Sequence, residues 1–200
     1  MPAPIEFYFD FASPYSYLAL NGIDALAAKY GRSVDYKPML LGAAFKVSGQ
    51  GVLTEIPLKG EYSKRDFARS ARFLGVPFKL PSTFPLNTVN TARAALWLKE
   101  QGSAKSIPFV HRAFRAYFVE DRNINDAAVI GELADELGID KAALAAAIQD
   151  AGIKERLKAH VEAAIARGVF GAPFFFVDGE PFWGHDRLPQ IERWLASGPF

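Results

Sequence analysis

Ile5-Glu6-Phe7-Tyr8-Phe9-Asp10-Phe11-Ala12-Ser13-Pro14 changes character at its last two residues. Ile5 to Phe9 is short, apolar and aromatic, as a buried strand is. Ser13-Pro14 is a helix start. A serine oxygen at the N-cap accepts from a first-turn N–H, and proline loses nothing where that N–H has no helical partner. The helix runs to about Tyr30, with Leu18, Ile23, Leu26 and Tyr30 near one face, and Gly31 ends it. Ser33 to Lys37 alternates Val34 and Tyr36 with polar residues, which is a second strand. The chain therefore opens β-α-β.

The far end returns to strands. Ala172-Pro173 leads into Phe174 to Val177, and Asp178-Gly179 is a hairpin-turn pair. Glu180 to Trp183 makes the returning strand. Asp186 then caps a last helix with Leu188, Ile191, Trp194 and Leu195 on its apolar face. Between the two ends, from about Leu41 to Gly168, the pattern is helical. Stripes run through Phe67, Ala71 and Leu74 in a segment starting at Ser63, and through Val89, Ala92 and Leu96. Others join Phe109, Ala113, Phe114 and Tyr117, then Val129 and Leu133, then Leu144 and Ile148, then Ile153, Leu157, Val161 and Ile165. Gly49 to Gly60 and the proline-bounded Pro77 to Pro85 read as loops. A β-α-β piece and a β-β-α piece forming one sheet is the plan of the thioredoxin fold. The expectation is α/β, a thioredoxin-like fold with a large all-helical insertion. Residues 1–40 and 169–200 form the discontinuous thioredoxin-like domain and 41–168 the insertion. The insertion's last helix is a candidate for the thioredoxin core.

Composition removes whole classes of function. Half the residues are hydrophobic and 17 are Phe, so a sizeable core can form and disorder is excluded. A net charge of +1 with no basic cluster lacks the electrostatic footprint of a nucleic-acid binder. The chain has no cysteine, which removes disulfides, thiolate metal sites and any cysteine nucleophile. His111, His160 and His185 show no metal spacing. No apolar run reaches about 18 residues, and no basic, then apolar leader precedes Glu6 and Asp10, so the expected location is the cytoplasm and no membrane partner is expected. Ser13 lacks the G-x-S-x-G setting of a hydrolase nucleophile, and Gly42, Gly49 and Gly51 make no phosphate loop.

Three places can carry chemistry. Ser13 is first a cap, yet a helix N-terminus has unpaired N–H groups and partial positive charge, which stabilise an anion such as a thiolate. A hydroxyl there can donate to that anion as well. Proline before a strand proves little, but in a thioredoxin-type arrangement Pro173 lies beside the first helix, and Ala172 can pair its backbone with an extended peptide. In Trp183-Gly184-His185-Asp186 a helix N-terminus and a carboxylate can together hold a zwitterion, such as an α-amino acid end. The basic residues Lys46, Lys59, Lys64, Arg65, Arg69 and Arg72 read mostly as a solvated face. Lys46 and Lys59 are the candidates to hold a carboxylate substrate, with Phe84 and Asn87 lining the same pocket.

Phe9-Asp10-Phe11-Ala12-Ser13-Pro14-Tyr15-Ser16-Tyr17 resembles the N-terminal signature of the 2-hydroxychromene-2-carboxylate isomerases, which group with kappa-class glutathione transferases among DsbA-like thioredoxin proteins. Gly171-Ala172-Pro173-Phe174-Phe175-Phe176 and Trp183-Gly184-His185-Asp186-Arg187-Leu188 resemble the same family, and the likeness covers the whole chain. The resemblance implies glutathione as cofactor, with Ser13 contacting its sulfur where redox relatives carry cysteine. Ala172 and Pro173 would meet its cysteinyl part, and Trp183, Gly184, His185 and Asp186 its γ-glutamyl end. It implies a cis–trans isomerisation coupled to ring opening, giving trans-o-hydroxybenzylidenepyruvate. The thiolate adds to a conjugated double bond, the bond rotates as a single bond, and the thiolate leaves. It also implies a small aromatic carboxylate substrate and a homodimer. Two residues depart from the pattern: His185 stands where asparagine or serine is expected, and Phe84 where a tyrosine hydroxyl would help. A kappa-like transferase that conjugates electrophiles, and a non-catalytic thioredoxin-fold binding protein, are the competing readings. A disulfide oxidoreductase is disfavoured by the absent cysteines.

Overall fold

A computed structural model describes residues 2–200. Four strands form one sheet: β1 (Ile5–Phe9), β2 (Val34–Pro38), β3 (Phe174–Val177) and β4 (Glu180–Trp183), in the order β2-β1-β3-β4. β1 runs parallel to β2 and antiparallel to β3, and β4 returns antiparallel on β3. The two central strands carry apolar side chains on both faces, which are both covered, with Glu6 of β1 paired to Arg167 as the exception. Phe7, Phe9 and Phe175 face one core, shared with α1 (Pro14–Lys29) and α5 (Ser106–Phe118). Tyr8, Phe174 and Phe176 face the other, against α4 (Val89–Glu100) and α8 (Ala151–Ala166). The remaining helices are α2 (Leu41–Ser48), α3 (Lys59–Leu74), α6 (Ala127–Glu136), α7 (Lys141–Gln149) and α9 (Leu188–Ser197). The thioredoxin-like sheet with its helical insertion is as expected.

Strand register fixes the location of the site. Tyr8 of β1 pairs with Phe174 of β3, and Phe174 pairs with Trp183 of β4. The residues following β1, preceding β3 and following β4 therefore emerge at one end of the sheet. Those are the turn to Ser13, the Ala172-Pro173 step, and Gly184 to Asp186.

Two local expectations are corrected. α3 begins at Lys59, four residues before Ser63, and a 3-10 turn at Leu53–Glu55 interrupts the loop before it. Asp186 does not cap the last helix. It lies in a 3-10 turn, His185–Arg187, and Arg187 is the N-cap of α9 with no side-chain cap bond. The Asp186 carboxylate instead pairs with the neighbouring Arg187 at 3.0 Å.

Candidate active site

Ser13 caps α1 as the Ser-Pro pair predicts. Its Oγ accepts the Ser16 N–H at 3.1 Å, and its own N–H donates to the Asp10 carbonyl at 2.9 Å. The hydroxyl proton has a partner too: Oγ donates to the Ala172 carbonyl at 2.9 Å. Ser13 and Ala172, separated by 159 residues in sequence, are thus in direct contact. The Ala172-Pro173 peptide is cis. Among the described residues nothing pairs with the Ala172 N–H or with the Tyr15 N–H in the first turn of α1. Two unpaired donors and one hydroxyl therefore lie in the segments joined by this contact, beside a partly positive helix end.

The third segment closes this side. The Gly184 N–H donates to the Pro173 carbonyl at 3.1 Å, tying the end of β4 to the proline. Gly184 has φ of 112°, and a Cβ there would run into the Asp186 carboxylate. A Cβ on Gly171 would likewise meet the Trp183 indole. The His185 ring stacks on Tyr15, with centroids 4.8 Å apart and planes 8° from parallel. Burial holds the His185 pKa below its usual value, so the ring is neutral at neutral pH. Tyr15 donates to Asp66 of α3 at 2.7 Å, and Asp66 also pairs with Arg69. Burial works to raise the Asp66 pKa, but these two hydrogen bonds outweigh it and hold the carboxyl below its usual range.

All eleven residues singled out from sequence line one cleft of about 2250 Å³. Lys46, on α2, and Lys59, at the start of α3, are both exposed. The other basic groups on the cleft wall have acidic neighbours: Arg69 pairs with Asp66, and Arg187 with Asp186. Among the described residues Lys46 and Lys59 form no ion pair, which leaves both amines available to a ligand carboxylate. Phe84 stands edge-on to Phe67 at 6.4 Å, and Tyr15 also meets Phe67, at 4.9 Å. Part of the cleft lining is therefore aromatic. The Asn87 Oδ1 accepts the Val89 N–H at 3.0 Å, leaving its amide nitrogen to the cleft loop.

Sequence reasoning passed over Asp10, Tyr15, Asp66 and Thr88, which also line the cleft. Asp10 is 4% exposed and accepts from the Ala12 and Leu41 N–H groups and the Thr88 hydroxyl. An acidic residue between two phenylalanines, Phe9-Asp10-Phe11, was a visible signal of a buried carboxylate. Nothing local marked the other three, because their partners come from distant segments.

Glutathione fits this set of groups. The free Ala172 N–H suits a backbone partner, the Ser13 turn suits a thiolate, and the Gly184 turn with Asp186 suits an ammonium-bearing end. The chain has no cysteine of its own to place there.

Comparisons with known proteins agree with the geometry. Residues 4–196 match the DSBA-like thioredoxin domain family. A 2-hydroxychromene-2-carboxylate isomerase of Sphingobium xenophagum is 34% identical over 98% of this chain and 100% of its own length. The glutathione S-transferase kappa 2 of Caenorhabditis elegans is 27% identical over 98% of this chain and 92% of its own. A solved 2-hydroxychromene-2-carboxylate isomerase superimposes with a TM-score of 0.87 and 28% identity, covering 96% of this chain and 94% of that one. With a serine-capped first helix, the cis-proline step and end-to-end similarity all present, the chain belongs to the DSBA-like thioredoxin domain family and, within it, to the 2-hydroxychromene-2-carboxylate isomerases.

Proposed function

We propose that this protein is a glutathione-dependent isomerase that converts 2-hydroxychromene-2-carboxylate, or a similar aromatic carboxylate, to the trans-o-hydroxybenzylidenepyruvate type of product. One observation carries the reading. The capped N-terminus of α1 beside the Ala172-Pro173 step holds Ser13 in place of a thiol, and it lines the same cleft as two lysines that make no ion pair among the described residues. Such a site can stabilise a thiolate and anchor a carboxylate, but it cannot exchange disulfides by itself.

Glutathione, when bound, supplies the thiolate that adds reversibly to the conjugated double bond of the substrate. Ser13 and the Tyr15 N–H stabilise the sulfur anion, the hydroxyl turning from the Ala172 carbonyl to do so. The Ala172 N–H orients the cysteinyl backbone, while Trp183, Gly184, His185 and Asp186 hold the γ-glutamyl end. Lys46 and Lys59 bind the substrate carboxylate, and Phe84 with Asn87 positions the ring. Phe84 has no hydroxyl to offer, so ring placement there rests on packing.

The test is glutathione binding by calorimetry and isomerisation kinetics, wild type against Ser13→Ala. The variant loses the cap as well as the donor. About 1 kcal/mol of stability is expected to go, which a parallel melt detects. Turnover is expected to fall about 10²-fold, as for loss of one donor to a developing anion. A wild type that binds no glutathione would leave only a thioredoxin-fold binding module. The transferase reading, favoured by the kappa-class relative, predicts that glutathione is consumed into product in the same assay. The isomerase reading predicts that it is recovered.

A further inference from the structure

Asp10 is a buried carboxylate with no cation on it among the described residues. Burial pushes its pKa up, and the three hydrogen bonds it accepts only partly oppose that shift. Oδ1 accepts the Ala12 N–H at 2.8 Å and the Thr88 hydroxyl at 2.9 Å, and Oδ2 accepts the Leu41 N–H at 2.7 Å. An uncompensated carboxylate in a core is expensive, and apolar packing would serve stability better.

The three donors come from three separate parts of the cleft wall. Ala12 precedes Ser13. Leu41 is the first residue of α2, whose N-cap residue, Leu40, makes no side-chain cap bond. Thr88 is the N-cap of α4, but its hydroxyl turns away from that helix to Asp10. Asp10 thus caps α2 from outside and holds the start of α4, and both sit against the turn of Ser13. Lys46 lies five residues along α2 from Leu41, about 7.5 Å by helical rise. Asn87 adjoins Thr88.

We infer that Asp10 is a positioning residue for the isomerisation, fixing the walls that carry Lys46 and Asn87 to the turn that carries Ser13. The inference rests on the proposed function. The cofactor groups Ala172 and Trp183 to Asp186 hang from β3 and β4 with no hydrogen bond to Asp10, and Ser13 is held without the Asp10 carboxyl, by its N–H on the Asp10 main-chain carbonyl and its Oγ on the Ala172 carbonyl.

Asp10→Asn tests it, because the amide keeps the shape but turns donor hydrogens toward groups that themselves donate. Thr88→Val removes a single donor and serves if Asp10→Asn does not fold. Three measurements are made on wild type and variants: amide exchange by mass spectrometry, glutathione affinity by calorimetry, and steady-state isomerisation. In Asp10→Asn, exchange over 39–46 and 86–92 is expected to quicken by about tenfold or more. Glutathione affinity should stay within about threefold of wild type. The kcat should fall about 10²-fold, the scale of an ångström-sized misplacement. Thr88→Ser, which keeps the donor, should recover most of the rate lost in Thr88→Val. Unchanged exchange in both segments would overturn the inference. So would unchanged kcat with quickened exchange, or glutathione affinity falling in step with kcat. A wild type that neither binds glutathione nor turns over would sink the functional reading alone. The exchange result would still decide whether Asp10 holds the walls.

Discussion

His160, on α8, shows how a single side chain sets a pH limit. Its Nε2 is buried with no partner among the described residues, and its ring lies over Tyr8 at 6.3 Å. Burial, with Lys37 and Lys99 nearby, pushes its pKa down to about 4, and Asp35 only partly opposes them. The unfolded chain titrates near pH 6.5, so between these values the unfolded state binds more protons than the native one. The neutral ring's contribution is intact above about pH 6.5 and is lost as pH falls through about 4. Chemical denaturation at pH 7.5 and 4.5 should show wild type losing about 2 kcal/mol more than His160→Phe. Equal losses would mean that the ring is solvated. Single residues were unevenly legible in the sequence. Ser13, Pro173 and Gly184 stand at cap and turn signals, which are local. Asp10, Thr88 and Asp66 act through partners 31 to 78 residues away, and periodicity carries no trace of such pairings.

At the scale of elements, the turn after β4 joins local conformation to ligand recognition. Gly184 occupies positive φ, gives its N–H to Pro173, and leaves no room for a Cβ beside Asp186. Gly31, after α1, has φ of 64° with nothing near an added Cβ. Alanine at either position should cost about 1–3 kcal/mol for the left-handed backbone. Only Gly184→Ala should also weaken glutathione binding, by about tenfold or more. Thermal melts with calorimetry separate the two effects, and equal binding by both variants would remove the turn from the cofactor site. The same chemistry explains what could be read. Asp178 and Gly179, at φ of 52° and 91°, form the tight turn that the pair announces, so β3 and β4 fall where the pattern puts them. The start of α3 was hidden because Leu58, 93% exposed at φ of 68°, carries no cap signature and the apolar stripe begins only at Phe67. Asp186 resembled a cap because an aspartate shortly before an apolar helical stripe fits the rule. A 3-10 turn between β4 and α9 shifts the true N-cap by one residue.

On the scale of the whole molecule, sequence order divides the chain into sheet ends and helical middle, but packing does not respect that division. One buried cluster joins Phe7, Phe9 and Phe175 of the sheet, Leu18 and Ile23 of α1, and Phe109, Phe114 and Phe118 of α5 in the insertion. Leu133 and Leu144 extend it into α6 and α7. The second cluster carries α4 and α8 onto the opposite sheet face. Periodicity located the stripes on these helices, yet which stripe meets which strand follows only from the fold. Phe114 is central to the joint, with ring centroids 5.7 Å from Phe9, 5.0 Å from Phe11 and 6.1 Å from Tyr17. Neither part can keep its apolar surface buried once the other opens, so sheet and insertion should unfold together. Calorimetry should give one transition whose van't Hoff and calorimetric enthalpies agree. Phe114→Ala should lower stability by about 3–5 kcal/mol, the scale for emptying a buried aromatic site. If the insertion were an autonomous domain, this substitution would split the melt, with the sheet unfolding at its former temperature. If the core is shared, the single transition moves down as a unit, and the cleft between sheet end and insertion is lost at the same temperature as the fold.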